Sequence, residues 1–496
     1  MLGTDAYRSG PSPHWERFLV VGAAVVVWSS ILVARLVYLQ VLAHHECARL
    51  VHSQSIEYFE VPGLRGEIYD RTGRPLALSI PSETVYVDPR HLPSLDEAVT
   101  VLATHLKLDP ETLRQRLQRA RSVRAGYLRI KRRITAEEAQ ALRRVNQRSK
   151  FPWIHFEPDL IRVYPSGATA AHVVGTVNDQ NQGDSGIELA LDQELSGRPG
   201  ERSVLRDARG QTLEVLELSH PVRGQDIGLT IDARIQQVAH EALKRAAEQW
   251  QCQRGSVVVM DVASGDVLAL ASYPEFDPNR RPFPASELHR RENNAVAAPF
   301  EPGSVFKVVT IAAALDQGVV SPETPIDCHG GVLVLRGRRI HDVHAYGQLT
   351  VENVLAKSSN IGAIQVAMRL TEPKLYEYVV RFGFGRRTRI GLPAESPGRV
   401  YPLERWGATS FASVAMGHEV MATTLQLAVA VATVANDGIR PVPRLVLWRG
   451  MREGRREQVP ILEGPRVIRA ETAIAMRRMM EQVVLRGTGQ AARLMG

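Results

Sequence analysis

Two short groups of residues in this chain combine types suited to acyl transfer. In Ser304-Val305-Phe306-Lys307 a hydroxyl and an amine lie three residues apart, and they share a face if the segment is helical. The surroundings predict that helix. Pro302-Gly303 punctuates a turn, an apolar run follows over residues 305–315, and Gly318 closes it. A lysine so early in a helix faces the positive end of the macrodipole, which is mildly unfavourable. The placement has a purpose if Ser304 is a nucleophile and Lys307 its base. Burial and neighbouring positive charge lower an amine's pKa, and it can then take the hydroxyl proton. The backbone amide of Ser304 can also help to stabilise an oxyanion. The plainer reading is a serine that caps a helix.

The second group, Ser358-Ser359-Asn360, begins 54 residues later, between helical stretches over residues 351–357 and 361–370. Its hydroxyl and amide can reach the serine–lysine pair and a substrate amide. An ordinary helix–helix connection built from capping residues is the alternative.

At 496 residues the chain has room for two or three domains, and its 23% charged and 44% apolar content is that of a globular protein. A net charge of +8 suits work near anionic lipid, but without aromatic-basic modules it does not argue for a nucleic-acid partner. No cofactor or metal is expected. The most metal-like cluster, His341-Asp342-Val343-His344, has no partner ligands at metal spacing. Three distant cysteines, Cys47, Cys252 and Cys328, cannot all pair within one chain and read as isolated thiols.

Residues 1–17 are polar and read as a tail. Residues 18–42 form an apolar stretch of 25 residues, interrupted by Arg35. At roughly 1.5 Å per residue it spans about 37 Å, enough to cross a bilayer. It is also longer than a typical cleaved signal core. Flanking charges do not settle its orientation. Residues 43–223 mix short strands and turns with helices predicted over 94–106, 109–120 (Asp109 as cap) and 135–146. Arginines concentrated over 121–133 read as a solvated face. A glycine-containing stretch over 221–228 marks a boundary, and residues 224–496 form the last domain. There Asp232 caps a helix whose apolar positions Ile235, Val238, Ala239, Ala242, Leu243 and Ala246 predict one buried stripe. A hairpin follows, with strands over 255–261 and 266–272. The unbroken run Val257-Val258-Val259-Met260 predicts a strand covered on both faces. Gly383-Phe384-Gly385 reads as a tight turn, and residues 423–436 as an apolar core helix.

The chain resembles the class B penicillin-binding proteins, the monofunctional peptidoglycan transpeptidases, and looks most like their septal branch. The resemblance rests on an ordered series. It runs through Arg65-Gly66-Glu67-Ile68-Tyr69-Asp70-Arg71, Arg162-Val163-Tyr164-Pro165, Gly186-Ile187-Glu188 and Leu229-Thr230-Ile231-Asp232. It continues through Phe300-Glu301-Pro302-Gly303-Ser304 and through Leu349-Thr350-Val351-Glu352 ahead of Ser358-Ser359-Asn360. Serine-x-x-lysine and serine-x-asparagine boxes belong to these enzymes. The resemblance implies an α+β chain: a transmembrane anchor, a mixed α/β non-catalytic pedestal, and a transpeptidase domain with an antiparallel sheet flanked by helices. It implies catalytic roles for Ser304, Lys307, Ser358 and Asn360. Stem peptides are then the substrates, β-lactams the inhibitors, and a membrane glycosyltransferase and other division proteins the partners. The tail lies in the cytoplasm and the bulk of the chain outside the inner membrane. Arg65, Arg162 and Glu188 fall in the pedestal motifs and are expected to share a buried or semi-buried ionic cluster.

A third family box, Lys-Thr/Ser-Gly, does not occur after Asn360. Gly487-Thr488-Gly489 resembles the approach to it, so the transpeptidase domain is expected to be incomplete. Two other readings therefore stand beside the enzyme: a catalytically silent, membrane-anchored division scaffold, and a protein that hydrolyses or senses β-lactams.

Overall fold

A computed structural model describes residues 14–43, 56–148, 153–206, 212–450 and 455–494. The chain divides into two compact units: residues 1–61 with 199–221, and residues 62–198 with 222–496.

The first unit contains helix α1 (His14–Val37), continued by one wider turn to Leu42. The helix begins four residues before the predicted apolar stretch. Trp15–Leu42 is long and apolar enough to cross a membrane and is wholly unburied. Its apolar side chains, with nothing packed on them, are what a lipid-facing helix requires. The same unit has a three-stranded antiparallel sheet, ordered β1 (Ile56–Val61), β6 (Gly200–Arg206), β7 (Thr212–Ser219).

The second unit is built on a mixed sheet of seven strands. Strands β2 (Ile68–Tyr69), β3 (Pro75–Val87), β4 (Leu128–Ile134) and β5 (Ile154–Val163) form one side of it. Strand β8 (Ile227–Leu229) lies parallel to β2, with Ile68 opposite Ile227. Two later strands, Val446–Gly450 and Arg456–Gln458, complete the other edge. Helices α2 (Leu95–Leu106), α3 (Pro110–Ser122) and α4 (Ala136–Arg148) start as predicted. Ser94 accepts from the Glu97 amide and Asp109 from the Thr112 amide. They bury Leu102, Leu106, Leu113, Leu117 and Leu142 against Val85, Val87 and Ile154. A second core runs across residue 223. It joins Ile68, Leu76, Tyr164 and Ile187 to Ile227, Leu229, Leu270 and Leu425.

The predicted ionic cluster joins Arg65, Arg162 on β5, and Glu188. The two carboxylate oxygens of Glu188 are shared, Oε2 with Arg65 Nε at 2.6 Å and Oε1 with Arg162 Nε at 2.7 Å. All three side chains are at most 1% exposed. Arg65 also reaches Asp192 at 2.7 Å, Ser196 at 3.0 Å and the Glu188 carbonyl at 2.8 Å. Two guanidinium groups thus face two carboxylates, which is how buried charge is tolerated.

Two expectations are corrected. Helix α5 (Ala233–Gln249), capped by Asp232, does not bury the apolar stripe. Val238 is 66% exposed, and Ala242 and Ala246 are exposed as well. The packed face is Gln236, Ala239, His240 and Ala247, with Ile235 and Leu243 half-buried. Gln236 takes that place because its amide pairs with the Leu270 backbone. Nε2 donates to the Leu270 carbonyl at 3.0 Å, and Oε1 accepts from the Leu270 amide at 2.7 Å. Hydropathy counts a glutamine as polar and cannot register that its polar atoms are satisfied. The second correction concerns strand β9 (Gly255–Met260), which pairs with β10 (Val267–Tyr273) as the hairpin predicted. It is half-buried at every residue rather than fully covered, and among the described residues only β10 pairs with it, which leaves its other edge open. Cys252 is exposed and Cys328 buried, both unpaired; Cys47 lies outside the described residues.

Truncating one member of the ionic cluster leaves a buried carboxylate short of a partner. Arg65→Ala is expected to cost roughly 3–5 kcal/mol of stability, read as a loss of denaturant midpoint. Arg65→Lys should recover only part of it, since an ammonium cannot bridge Glu188 and Asp192 with a planar fork.

Candidate active site

Helix α6 (Lys307–Asp316) is buried on all sides from Val309 to Leu315, and this anchors everything at its N-terminal end. A tight helical turn, Gly303–Phe306, precedes it. Gly303 has φ +56°, a conformation that suits glycine. Its amide donates to the Gly417 carbonyl at 3.0 Å. Gly417 has φ +84°, and a Cβ there would lie 2.1 Å from the Gly303 carbonyl oxygen. Phe300 exchanges two backbone hydrogen bonds with Ala422, at 3.0 and 2.9 Å. The Glu301 carboxylate accepts from the Glu419 amide at 2.9 Å, with His418 Nδ1 at 3.2 Å. That amide, and then His418, holds Glu301 below the usual carboxylate range. The segment before the serine is thus strapped to residues 417–422. Phe306 is buried against Phe384, whose ring centroid is 5.1 Å away, in the predicted turn with Gly383 and Gly385 both at positive φ.

Ser304 is exposed on this turn, and neither helical segment uses it as a cap. The capping reading therefore lacks a hydrogen bond to rest on. Its hydroxyl makes no hydrogen bond with another described residue, Lys307 included.

Lys307 is 1% exposed. Its Nζ donates to the Ser358 carbonyl at 2.6 Å, to Asn360 Oδ1 at 2.8 Å and to Ser358 Oγ at 3.2 Å. Three donors thus meet three neutral acceptors, and no carboxylate among the described residues forms an ion pair with it. Burial lowers its pKa from the ordinary 10.5 to about 8, with the Asp342 charge partly opposing. Protonated, the ammonium satisfies all three acceptors. Neutral, it keeps two donors and presents a lone pair to the Ser358 hydroxyl.

Ser358 and Asn360 are aimed by the connection between α7 (Val351–Ala356) and α8 (Asn360–Met368). In Ser358-Ser359-Asn360 the capping role falls to the middle residue, while the outer two face Lys307. Ser359 caps α8, accepting from the Gly362 amide at 2.9 Å. Ser358 takes φ +57°, unusual for a residue with a side chain and of the kind found at functional sites. The structure thus brings Lys307, Ser358 and Asn360 together, with Ser304 one turn before Lys307 along the same segment.

Asp342 has a structural part that the sequence did not reveal. Its carboxylate accepts from the Asn360 amide, from the Ile361 amide at 3.1 Å, and from Ser359 Oγ at 2.5 Å. A negative group at the start of a helix is favourable, and here it also fixes the backbone of Asn360. The neighbouring His341 carbonyl accepts from Asn360 Nδ2 at 3.1 Å, which sets the amide so that Oδ1 faces Lys307. The only hint in the sequence was the cluster His341-Asp342-Val343-His344, eighteen residues before Asn360.

The chain is similar to known proteins along nearly its whole length. Residues 255–496 match the penicillin binding protein transpeptidase domain, and residues 60–229 the penicillin-binding protein dimerisation domain. The peptidoglycan D,D-transpeptidase FtsI of Escherichia coli K12 is 30% identical over 479 residues, covering 95% of this chain and 78% of that protein. A probable peptidoglycan D,D-transpeptidase of Pseudomonas aeruginosa, PbpC, is 33% identical over 470 residues, covering 94% and 80%. Among solved structures, penicillin binding protein 3 of Mycobacterium tuberculosis complexed with aztreonam superposes with a TM-score of 0.66 at 27% identity, covering 88% of this chain and 80% of that one. Matched in order by both domain families and by relatives along nearly its whole length, the chain belongs to the class B penicillin-binding proteins.

Proposed function

We propose that the protein is a membrane-anchored peptidoglycan D,D-transpeptidase that cross-links stem peptides in septal wall synthesis. The observation that carries this reading is the buried Lys307 amine, surrounded by neutral oxygens and held near a pKa of 8. A base is most useful when its pKa is near the working pH. In the proposed acylation, Ser304 Oγ attacks the penultimate D-alanine carbonyl and gives its proton to Lys307. The bond to the terminal D-alanine breaks, and the departing amine receives a proton through the Ser358 hydroxyl. Asn360 orients the substrate amide. The amine of a second stem peptide then attacks the serine ester, forms the cross-link and frees Ser304. β-Lactams would acylate the same hydroxyl. FtsI-like relatives support the septal assignment. The apolar helix near the N-terminus supports a single-pass anchor; the same reading puts the tail in the cytoplasm, the catalytic domain on the wall side of the inner membrane, and a glycosyltransferase among the partners. The domain limits proposed from the sequence, 18–42, 43–223 and 224–496, go with this reading.

Covalent labelling by a fluorescent penicillin tests it. Label is expected on the full chain and none on Ser304→Ala; an unlabelled parent protein would defeat the proposal. Because only the neutral amine is a base, the labelling rate should rise with pH, about tenfold per unit below a midpoint near 8, and level off above it. Lys307→Arg, charged throughout that range, should label at no pH.

The Asp342 charge raises the Lys307 pKa against the larger effect of burial. Asp342→Asn should therefore move the midpoint of that profile to lower pH. It should also cost about 1 kcal/mol of stability through the weakened start of α8, measurable by thermal unfolding. A midpoint that stays in place or rises would contradict the electrostatic account.

A further inference from the structure

A cavity of about 1200 Å³ has none of Ser304, Lys307, Ser358 or Asn360 in its lining. Its walls come from Ile187 and Leu191 on one side, from residues 382–391, and from the segments 440–449 and 459–463. Six arginines line it: Arg386, Arg387, Arg389, Arg440, Arg444 and Arg449. Glu463 is the one acidic lining residue.

Two of the six are neutralised. Arg444 pairs with Asp266 at 2.6 Å and Arg449 with Glu194 at 2.8 Å. The other four form no ion pair with a described residue. Arg387 Nε donates to the Glu395 carbonyl at 2.9 Å. The Glu395 carboxylate is the nearest acid on that loop, but it is taken up by the Thr388 amide and hydroxyl, both at 2.6 Å, and by the Arg389 amide at 3.1 Å. Arg440 is half-buried, and its Nη1 donates to the Arg381 carbonyl at 2.8 Å. Burial, and then the like charge of Arg386, holds its guanidinium below the usual arginine range. Like charges without ion-pair partners around a concave wall focus a positive potential into the cavity. Ile187, Val429 and Leu445 provide apolar surface beside them.

We propose that this cavity binds a phosphate- or pyrophosphate-bearing ligand with an apolar body, its phosphate oxygens held by Arg386, Arg389 and Arg440. Planar guanidinium forks match tetrahedral oxyanions. The site is independent of the serine–lysine chemistry and does not rest on it. The phosphate group can be free in solution or carried on a lipid headgroup, and the two sources are separable.

The test is calorimetric titration of the detergent-solubilised full chain with three probes: pyrophosphate, dihexanoyl phosphatidic acid, and dihexanoyl phosphatidylcholine as the zwitterionic control. Saturable binding of pyrophosphate and phosphatidic acid is expected, weakening as salt rises, with none for phosphatidylcholine. Tighter binding of phosphatidic acid than pyrophosphate identifies a lipid source, and equal binding identifies a soluble one. Arg386→Gln with Arg389→Gln removes two exposed cations and should weaken binding at least about tenfold, with the unfolding temperature preserved. Arg386→Lys with Arg389→Lys should retain part of the affinity and guards against misfolding as the cause. No saturable binding of either anion, or undiminished binding in the glutamine variant, would overturn the proposal.

Discussion

A buried cation without a counter-ion is the constraint on which the catalytic half of this protein turns. Taking an ammonium out of water is costly unless its donors are met. Lys307 meets them with two oxygens of Ser358 and the amide oxygen of Asn360. A carboxylate in the same place would stabilise the charged form and remove the base. Neutral acceptors satisfy the ammonium geometrically while leaving its pKa depressed. The surrounding architecture follows from holding those three oxygens in place: the left-handed backbone of Ser358, the cap by Ser359, and the Asp342 carboxylate at the start of α8.

The two halves of the larger unit are held to one another by the same economy of buried polar groups. Parallel pairing of β2 with β8 carries the sheet from the pedestal into the catalytic part, and one apolar core follows it. Glu188, one residue from a wall of the arginine-lined cavity, joins Arg65 to Arg162 across segments far apart in sequence. Asn279 adds a polar tie: its Nδ2 donates to the Tyr164 carbonyl at 3.0 Å and its Oδ1 accepts from the Tyr164 amide at 3.0 Å. Residues 62–198 and the catalytic part thus share one sheet and one apolar core.

Local signals were legible wherever one segment contains its own explanation. Ser94 and Asp109 announce their helices because a cap acts within three residues. The hairpin of β9 and β10 was readable from its Ser264-Gly265 turn. The ionic cluster was legible by resemblance, and its geometry agrees. The packed face of α5 was not legible, because Gln236 is buried by a partner thirty-four residues away, which hydropathy does not weigh. The half-exposure of β9 was missed for a related reason: an apolar run says what a strand tolerates, not what covers it.

By itself, the sequence determined the kinds of groups available and their order: an amine one turn after a hydroxyl, a serine-x-asparagine motif behind a helix, an apolar helix near the N-terminus, and motifs that place the chain in its family. Those depend on spacing along the chain and on side-chain chemistry. Only the tertiary structure decided which groups meet. It put Asp342 at the head of α8, turned the Asn360 oxygen toward Lys307, pressed Gly417 against Gly303, and gathered six arginines from separate segments around one cavity. Contacts of that kind are made by burial and by satisfaction of polar atoms across long separations, and no local pattern encodes them.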